Sequence, residues 1–154
     1  MKKISVIAIA MLLVLVFTNL YAAEKDAAGC KDHPLIPRIQ GYYISMCSND
    51  TGNSDINLEG TGDRIDVVHI AQAKSLAMLY NPQPELKSKP GEAQVRTDFE
   101  NAIKKQGGKL LGITVGQKWP VYKMDKNGKE SWVVLMINSG QYYDGSYGYR
   151  IIEK

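Results

Sequence analysis

The spacing of apolar residues changes period sharply in the middle of this chain. Val95, Phe99, Ala102, Ile103 and Gln106 recur at helical spacing, while Arg96, Asp98, Glu100, Asn101, Lys104 and Lys105 cover the opposite face. The spacing predicts an amphipathic helix between Ser88 and Gly108. Ser88 is placed to cap it, and Pro90 suits its first turn. Glu92 stands at the positive end of the helix dipole, Lys104 and Lys105 at the negative end. Gly107-Gly108 stops the helix, because glycine accepts left-handed dihedrals. Leu110, Leu111, Ile113 and Val115 then predict a buried strand.

Elsewhere the period is mostly two. Gly41–Cys47 alternates as a strand with Tyr42, Ile44 and Met46 on one side. Ser48–Ser54 is rich in Asn, Asp, Thr and Gly and predicts a loop. Ile56–Glu59 and Arg64–Ile70, joined through Gly60-Thr61-Gly62, predict a hairpin; the Val67-Val68 doublet implies a strand covered on both sides or carrying a bulge. In Ala71–Leu86 the residues Ala73, Leu76, Ala77 and Tyr80 have helical spacing, so a short second helix is open there, ended by Asn81-Pro-Gln-Pro84. Val121–Met124 and Ser131–Ile137 flank Asn127-Gly128, a strong hairpin signal. Tyr147–Glu153 is the last strand, after the Gly- and Tyr-rich loop Gly140–Ser146. The fold class expected is α+β: an antiparallel β-sheet packed against one main α-helix.

Composition changes this picture at the start of the chain. Lys2 and Lys3 precede the apolar run Ile4–Phe17, and Ala22 suits the scissile position of a secretory signal peptide over residues 1–22. The run is shorter than the about 20 residues a spanning helix needs. An uncleaved anchor is the alternative; a lipoprotein is a third, since Ala27-Ala28-Gly29-Cys30 ends like a lipobox. Residues 23–154 are then one domain, with no membrane span after signal cleavage and a periplasmic or outer-membrane-associated location.

The leader takes two of the 19 basic residues and none of the 16 acidic ones, leaving 17 against 16. A near-neutral chain has no electrostatic reason to bind nucleic acid. Cys30 and Cys47 form a close, even pair that reads as a disulfide in an oxidising compartment. Free thiols or a metal pair are the alternatives, but a metal needs more soft ligands than two cysteines and a distant His69. No metal or cofactor is expected.

Candidate chemistry is sparse. Asp32-His33 sits before Pro34, and adjacent side chains point apart, so the pair reads as structural. His69 reads as a satisfied core or edge histidine. Asp63 with Asp66, and Asp98 with Glu100, are the available carboxylate pairs; the second lies on a solvated helix face. Gly60-Thr61-Gly62 opens no helix and is too short to cradle phosphate, and serine-nucleophile signatures are absent. Aromatic residues are more suggestive. Tyr142, Tyr143, Tyr147 and Tyr149, with Trp119, are candidates for a surface that grips protein or glycan; cross-strand pairing in a sheet is the alternative.

Three patches carry a family resemblance: Cys30–Ile44 with its Lys31-Asp32-His33-Pro34-Leu35 core, Leu58-Glu59-Gly60 with Arg64–Val67, and Arg96–Gly108. In this order they resemble the N-terminal periplasmic or surface module of OmpA-like outer-membrane proteins, and Tyr149–Lys154 is similar to that module's last strand. The resemblance implies an envelope location and a small α+β module without catalytic residues. The sequence ends at Lys154 without the peptidoglycan-binding domain of that family, so peptidoglycan anchoring does not carry over. The function expected is a secreted, non-enzymatic cell-envelope protein, a binding or accessory module whose partner is an envelope protein or glycan. The alternatives are a small periplasmic hydrolase or enzyme inhibitor, and a lipoprotein-like tether.

Overall fold

The structure is a computed structural model that describes residues 23–126, 128–138 and 140–154, with Tyr142 by its backbone alone. The expected leader, residues 1–22, and Asn127 of the expected turn lie outside the described residues. Six strands form one antiparallel sheet: β1 (Tyr42–Glu59), β2 (Ile65–Pro82), β3 (Lys109–Ile113), β4 (Pro120–Lys126), β5 (Lys129–Met136) and β6 (Tyr147–Glu153). Their spatial order is β1-β2-β6-β5-β4-β3. One helix, α1 (Glu92–Lys105), connects β2 to β3. Strand makes up 50% of the described residues and helix 12%, so the α+β fold is mostly β.

The helix covers one face of the sheet. Val95, Phe99 and Ile103 are buried along one stripe of α1, against Met78, Tyr122, Met124, Val133, Leu135, Tyr149 and Ile151. Gly108 N–H donates to Ile103 O and Gly107 N–H to Lys104 O, satisfying the last carbonyls; Gly107 takes φ +83° to do so. At the other end the structure corrects the expected cap. Gly91 holds that position without a side-chain bond, and Ser88 and Pro90 precede it. Glu92 instead accepts from Gly140 N–H at 3.1 Å, tying the helix start to the loop before β6.

The second face is covered by the chain's own hairpin. Along β1 and β2 the register skips: Gly52 pairs with Ala73, but Ser54 pairs with Ile70. Gln72 in the extra length has φ +53°, and its N–H donates to Asn53 Oδ1 at 3.2 Å. This bulge bends the hairpin, and its far half folds over the sheet as an arm. Ile56, Leu58 and Ile70 of the arm pack with Ala73, Val121, Trp132, Val134 and Ile152 of the sheet. The arm crosses the sheet completely, so that Leu58 bridges Thr114 and Val115 N–H donates to Asn57 O beside the opposite edge strand, β3. A left-handed non-glycine residue costs about 1–2 kcal/mol. Each buried aliphatic side chain returns about 1.5–3 kcal/mol, so the arm stays down.

Three further sequence expectations are corrected. Ser48–Ser54 is not a loop, because Cys47–Gly52 pairs residue by residue with β2. Its polar side chains are exposed except Ser54, and backbone pairing leaves no trace in composition. Ala71–Leu86 carries no helix: through Pro82 it belongs to β2. Ser75 and Ala73 face the arm while Met78 and Tyr80 face α1, and a strand buried on both sides mimics helical spacing. The segment after α1 is not buried, since Leu110, Leu111 and Val115 are 58%, 42% and 38% exposed at the sheet edge. The strand holding the Val67-Val68 doublet carries a bulge, one of the two alternatives expected, with Val68 packed inward and Val67 facing out. The hairpins ending at Glu59/Ile65 and Lys126/Lys129, and the last strand, match expectation.

Candidate functional site

The segment before β1 forms a strap across the free edge of that strand. Ala27 N–H donates to Ile44 O, and Ile44 N–H donates to Asp26 Oδ1, both at 2.8 Å. Cys30 and Cys47 are disulfide-bonded, their Cα atoms 5.8 Å apart, so covalent chemistry fixes the strap where hydrogen bonds already align it. Pro34 and Pro37 keep the chain out of regular structure there. Arg38 then forks between two carboxylates, donating to both oxygens of Asp26 at 2.7 and 2.6 Å and to Asp32 Oδ2 at 2.7 Å. The Arg38 guanidinium holds the Asp26 carboxyl below its usual range, and Asp26 in return raises the guanidinium above its own.

The tyrosines lie under this strap. Tyr80 is fully buried and donates from its hydroxyl to Asp32 Oδ1 at 2.9 Å, with Tyr149 Oη 3.4 Å away. Tyr149 Oη accepts from His33 N–H at 3.4 Å, and Tyr147 Oη accepts from Ile39 N–H at 3.0 Å. Tyr80 stacks on Tyr147 at 4.9 Å between centroids. Burial pushes all three phenols above the ordinary tyrosine range. Burial lowers the His33 pKa below the ordinary imidazole value, outweighing the opposite pull of Glu153 at 3.6 Å. Asp32 is thus held by Arg38 and Tyr80, and His33 by Leu35 N–H and Tyr149.

The candidate aromatic surface is not assembled. Tyr147 and Tyr149 are 3% and 0% exposed and belong to the core beneath α1, which corrects their assignment to a surface. The reason is their spacing: two residues apart on the central strand β6, they share the covered face. Tyr143 is half-buried, and its hydroxyl donates to Pro90 O at 2.7 Å. The Tyr142 side chain lies outside the described residues. Trp119 is on the other side of the sheet. His69, far from core, is exposed and bonded through Nδ1 to Asp55 Oδ1 at 2.9 Å. Asp66 lies 3.8 Å from Arg64, and Glu100 pairs with Lys104 at 2.8 Å. No group of three His, Cys, Asp or Glu among the described residues could hold a metal ion.

Trp119 leads to the site the sequence did not single out. A cleft of about 280 Å³ opens where the arm crosses the sheet, between Ile56 and Asn57 of β1, Trp119, and Val134, Met136 and Arg150 on the sheet. Trp119 presents its ring there because its Nε1–H is already spent on Ile137 O at 3.1 Å. Arg150 rises from the middle of β6, between β2 and β5. Its Nε donates to Ser75 Oγ at 2.7 Å and its Nη2 to Ser54 Oγ at 3.2 Å, and both serines are buried. No carboxylate among the described residues lies within ion-pair distance of Arg150; the nearby Asp55 is engaged by His69. A signal for this residue exists in the sequence, a lone cation between Tyr149 and Ile151-Ile152 in an apolar strand. Its serine partners come from segments expected to be loop and helix, so the site had no sequence-level outline.

No known protein family, curated protein or solved structure matches this chain.

Proposed function

We propose that this protein is an exported, non-enzymatic binding or accessory module of the cell envelope, and that its contact site is the cleft beneath the folded arm. One observation carries the proposal: an open cleft joins an indole wall, Trp119, to a guanidinium, Arg150, that lacks a carboxylate partner among the described residues. Arg150 is half-buried and its side-chain partners are two neutral serines, so its charge is left to meet an anion from outside. The closed Cys30–Cys47 disulfide is consistent with an oxidising, extracytoplasmic compartment. The resemblance to the N-terminal module of OmpA-like proteins supports the narrower reading of a periplasmic or outer-membrane-associated protein whose partner is an envelope protein or glycan.

The test is retention of the purified protein on isolated cell envelopes, with and without intact peptidoglycan. Met136→Trp, at a half-buried position lining the cleft, fills it and leaves the helix-side core untouched. Retention of the unaltered protein that falls at least about tenfold in this variant, the equivalent of 1.4 kcal/mol, supports the proposal. Equal retention of both proteins, or none of either, overturns it. Release of soluble fragments from the envelopes favours the hydrolase alternative instead.

A further inference from the structure

The chemistry of the cleft narrows what it takes, an inference that rests on reading the cleft as the contact site. We infer that the Arg150 cleft binds a carboxylate carried on a compact apolar body, with the carboxylate on the guanidinium and the body against Trp119. Three features argue for this class.

The first is the hydrogen-bond count at Arg150. A guanidinium has five N–H donors in a planar fork. Ser75 Oγ takes the Nε donor and Ser54 Oγ takes one on Nη2, which fixes the plane of the fork. Nη1 has no protein acceptor among the described residues, and Arg150 is part of the cleft lining. A planar, two-oxygen acceptor matches that geometry.

The second is the way Arg150 is positioned. It pairs through its backbone with Ala77 and Val134 in the centre of the sheet. Ser75 is on β2, and Ser54 is on the folded arm beyond the Gln72 bulge. Three elements must dock before the fork is held, so the guanidinium is pre-oriented in the folded protein. Such preorganisation removes part of the ordering cost of binding.

The third is the rest of the lining. Ile56, Trp119, Val134 and Met136 make an apolar wall; the polar lining is Asn57, Thr114, Gln117 and Asp55, whose carboxylate is bonded to His69. A free inorganic anion would leave this wall unused, and a volume of about 280 Å³ is below the range of about 300–1,000 Å³ typical of drug-sized sites. The occupant is therefore about the size of one aromatic or branched side chain bearing a carboxylate. A small free acid and the C-terminal residue of a peptide share this chemistry.

The experiment titrates the full chain, expressed with its own N-terminal segment and purified with the disulfide closed. Phenylacetate represents the free acid and N-acetylphenylalanine the peptide terminus; phenylacetamide and N-acetylphenylalaninamide are the neutral controls. Binding is followed by calorimetry and by tryptophan fluorescence, since Trp119 lies in the site. At least one acid is expected to bind at least about tenfold more tightly than its amide, the discrimination typical of hydrogen bonds to a charged group. Which acid binds more tightly tells the free acid from the peptide terminus. Arg150→Gln is expected to remove the acid preference, and Arg150→Lys to keep part of it.

Equal binding of acid and amide overturns the inference, as does no acid binding at millimolar concentration. A folded Arg150→Gln variant that keeps the preference also overturns it. Should that variant not fold, the acid–amide comparison on the unaltered chain still decides. If envelopes retain the protein through the cleft and no acid binds, the ligand class falls and the module reading stands. If acids bind and envelopes do not retain the protein, the ligand class stands and the module reading falls.

Discussion

Replacing Tyr80 by Phe tests the claim that the strap is locked to the sheet by buried phenols. The ring of Tyr80 is 0% exposed and stacks on Tyr147, and Phe keeps that contact. What is lost is one hydroxyl, which donates to Asp32 Oδ1 at 2.9 Å and lies 3.4 Å from Tyr149 Oη. A hydrogen bond to a charged acceptor contributes about 1.5–3 kcal/mol. Two facts pull the expectation to the lower part of that range. Asp32 keeps Arg38 on its other oxygen at 2.7 Å, and its side chain is 35% exposed, so water can replace the lost donor. The 3.4 Å contact with Tyr149 is long and adds little. The expected loss is therefore about 1–2 kcal/mol, against about 3–5 kcal/mol for Tyr80→Ala, which also empties the core. Equilibrium urea unfolding with the disulfide intact measures it, with the slope m unchanged. A double-mutant cycle with Asp32→Asn isolates the pair. A Tyr80→Phe protein within about 0.5 kcal/mol of the original, the scatter of neutral surface changes, would refute the reasoning and leave the ring alone as the reason for this tyrosine.

Opening the disulfide with Cys30→Ser and Cys47→Ser should cost about 3 kcal/mol in the chain-entropy model, read as a lower urea midpoint that reductant no longer changes. His33 gives a pH dependence with a definite sign. Burial lowers its folded pKa below the ordinary value of 6.5, so its contribution is complete above that pH. The contribution is lost as pH falls below 6.5 and through the depressed folded value; thermal scans from neutral to mildly acidic pH should show the slope, and His33→Asn should flatten it. Asp26 acts the same way in a lower window, its stabilisation fading as pH falls below the ordinary 3.8. Gly108→Ala would place a Cβ 2.3 Å from Ile103 Cγ2 and 2.9 Å from Met124 Cγ; overpacking of this kind costs about 1–3 kcal/mol, and unfolding midpoints should drop accordingly.

Legibility from sequence followed how locally each feature is encoded. The stripe Val95, Phe99, Ile103 and the stop at Gly107-Gly108 are properties of one segment, and both are found as expected. The hairpin partners Glu59 and Ile65, and Lys126 and Lys129, were marked by turn residues beside them. The disulfide needed only two cysteines and a compartment. For Tyr147 and Tyr149 the structure has the cross-strand alternative rather than the contact surface, and the sequence left both open because an aromatic residue serves equally well in a core and on a contact surface. The site was less legible than the fold, since Ser54, Ser75 and Arg150 lie on three separate segments.

The sequence by itself determined the helix, most strand positions and the pinned strap, because propensity, periodicity and loop closure act within short stretches of chain. Tertiary structure alone decided that the long hairpin bends at Gln72 and crosses to the far edge of the sheet. That bend depends on a register skip between Asn53 and Ala71-Gln72, on apolar burial against Trp132 and Ile152, and on a backbone contact with Val115. None of these is a property of the bent segment itself. The cleft and its guanidinium exist only after that long-range docking, which is why no local pattern announced them.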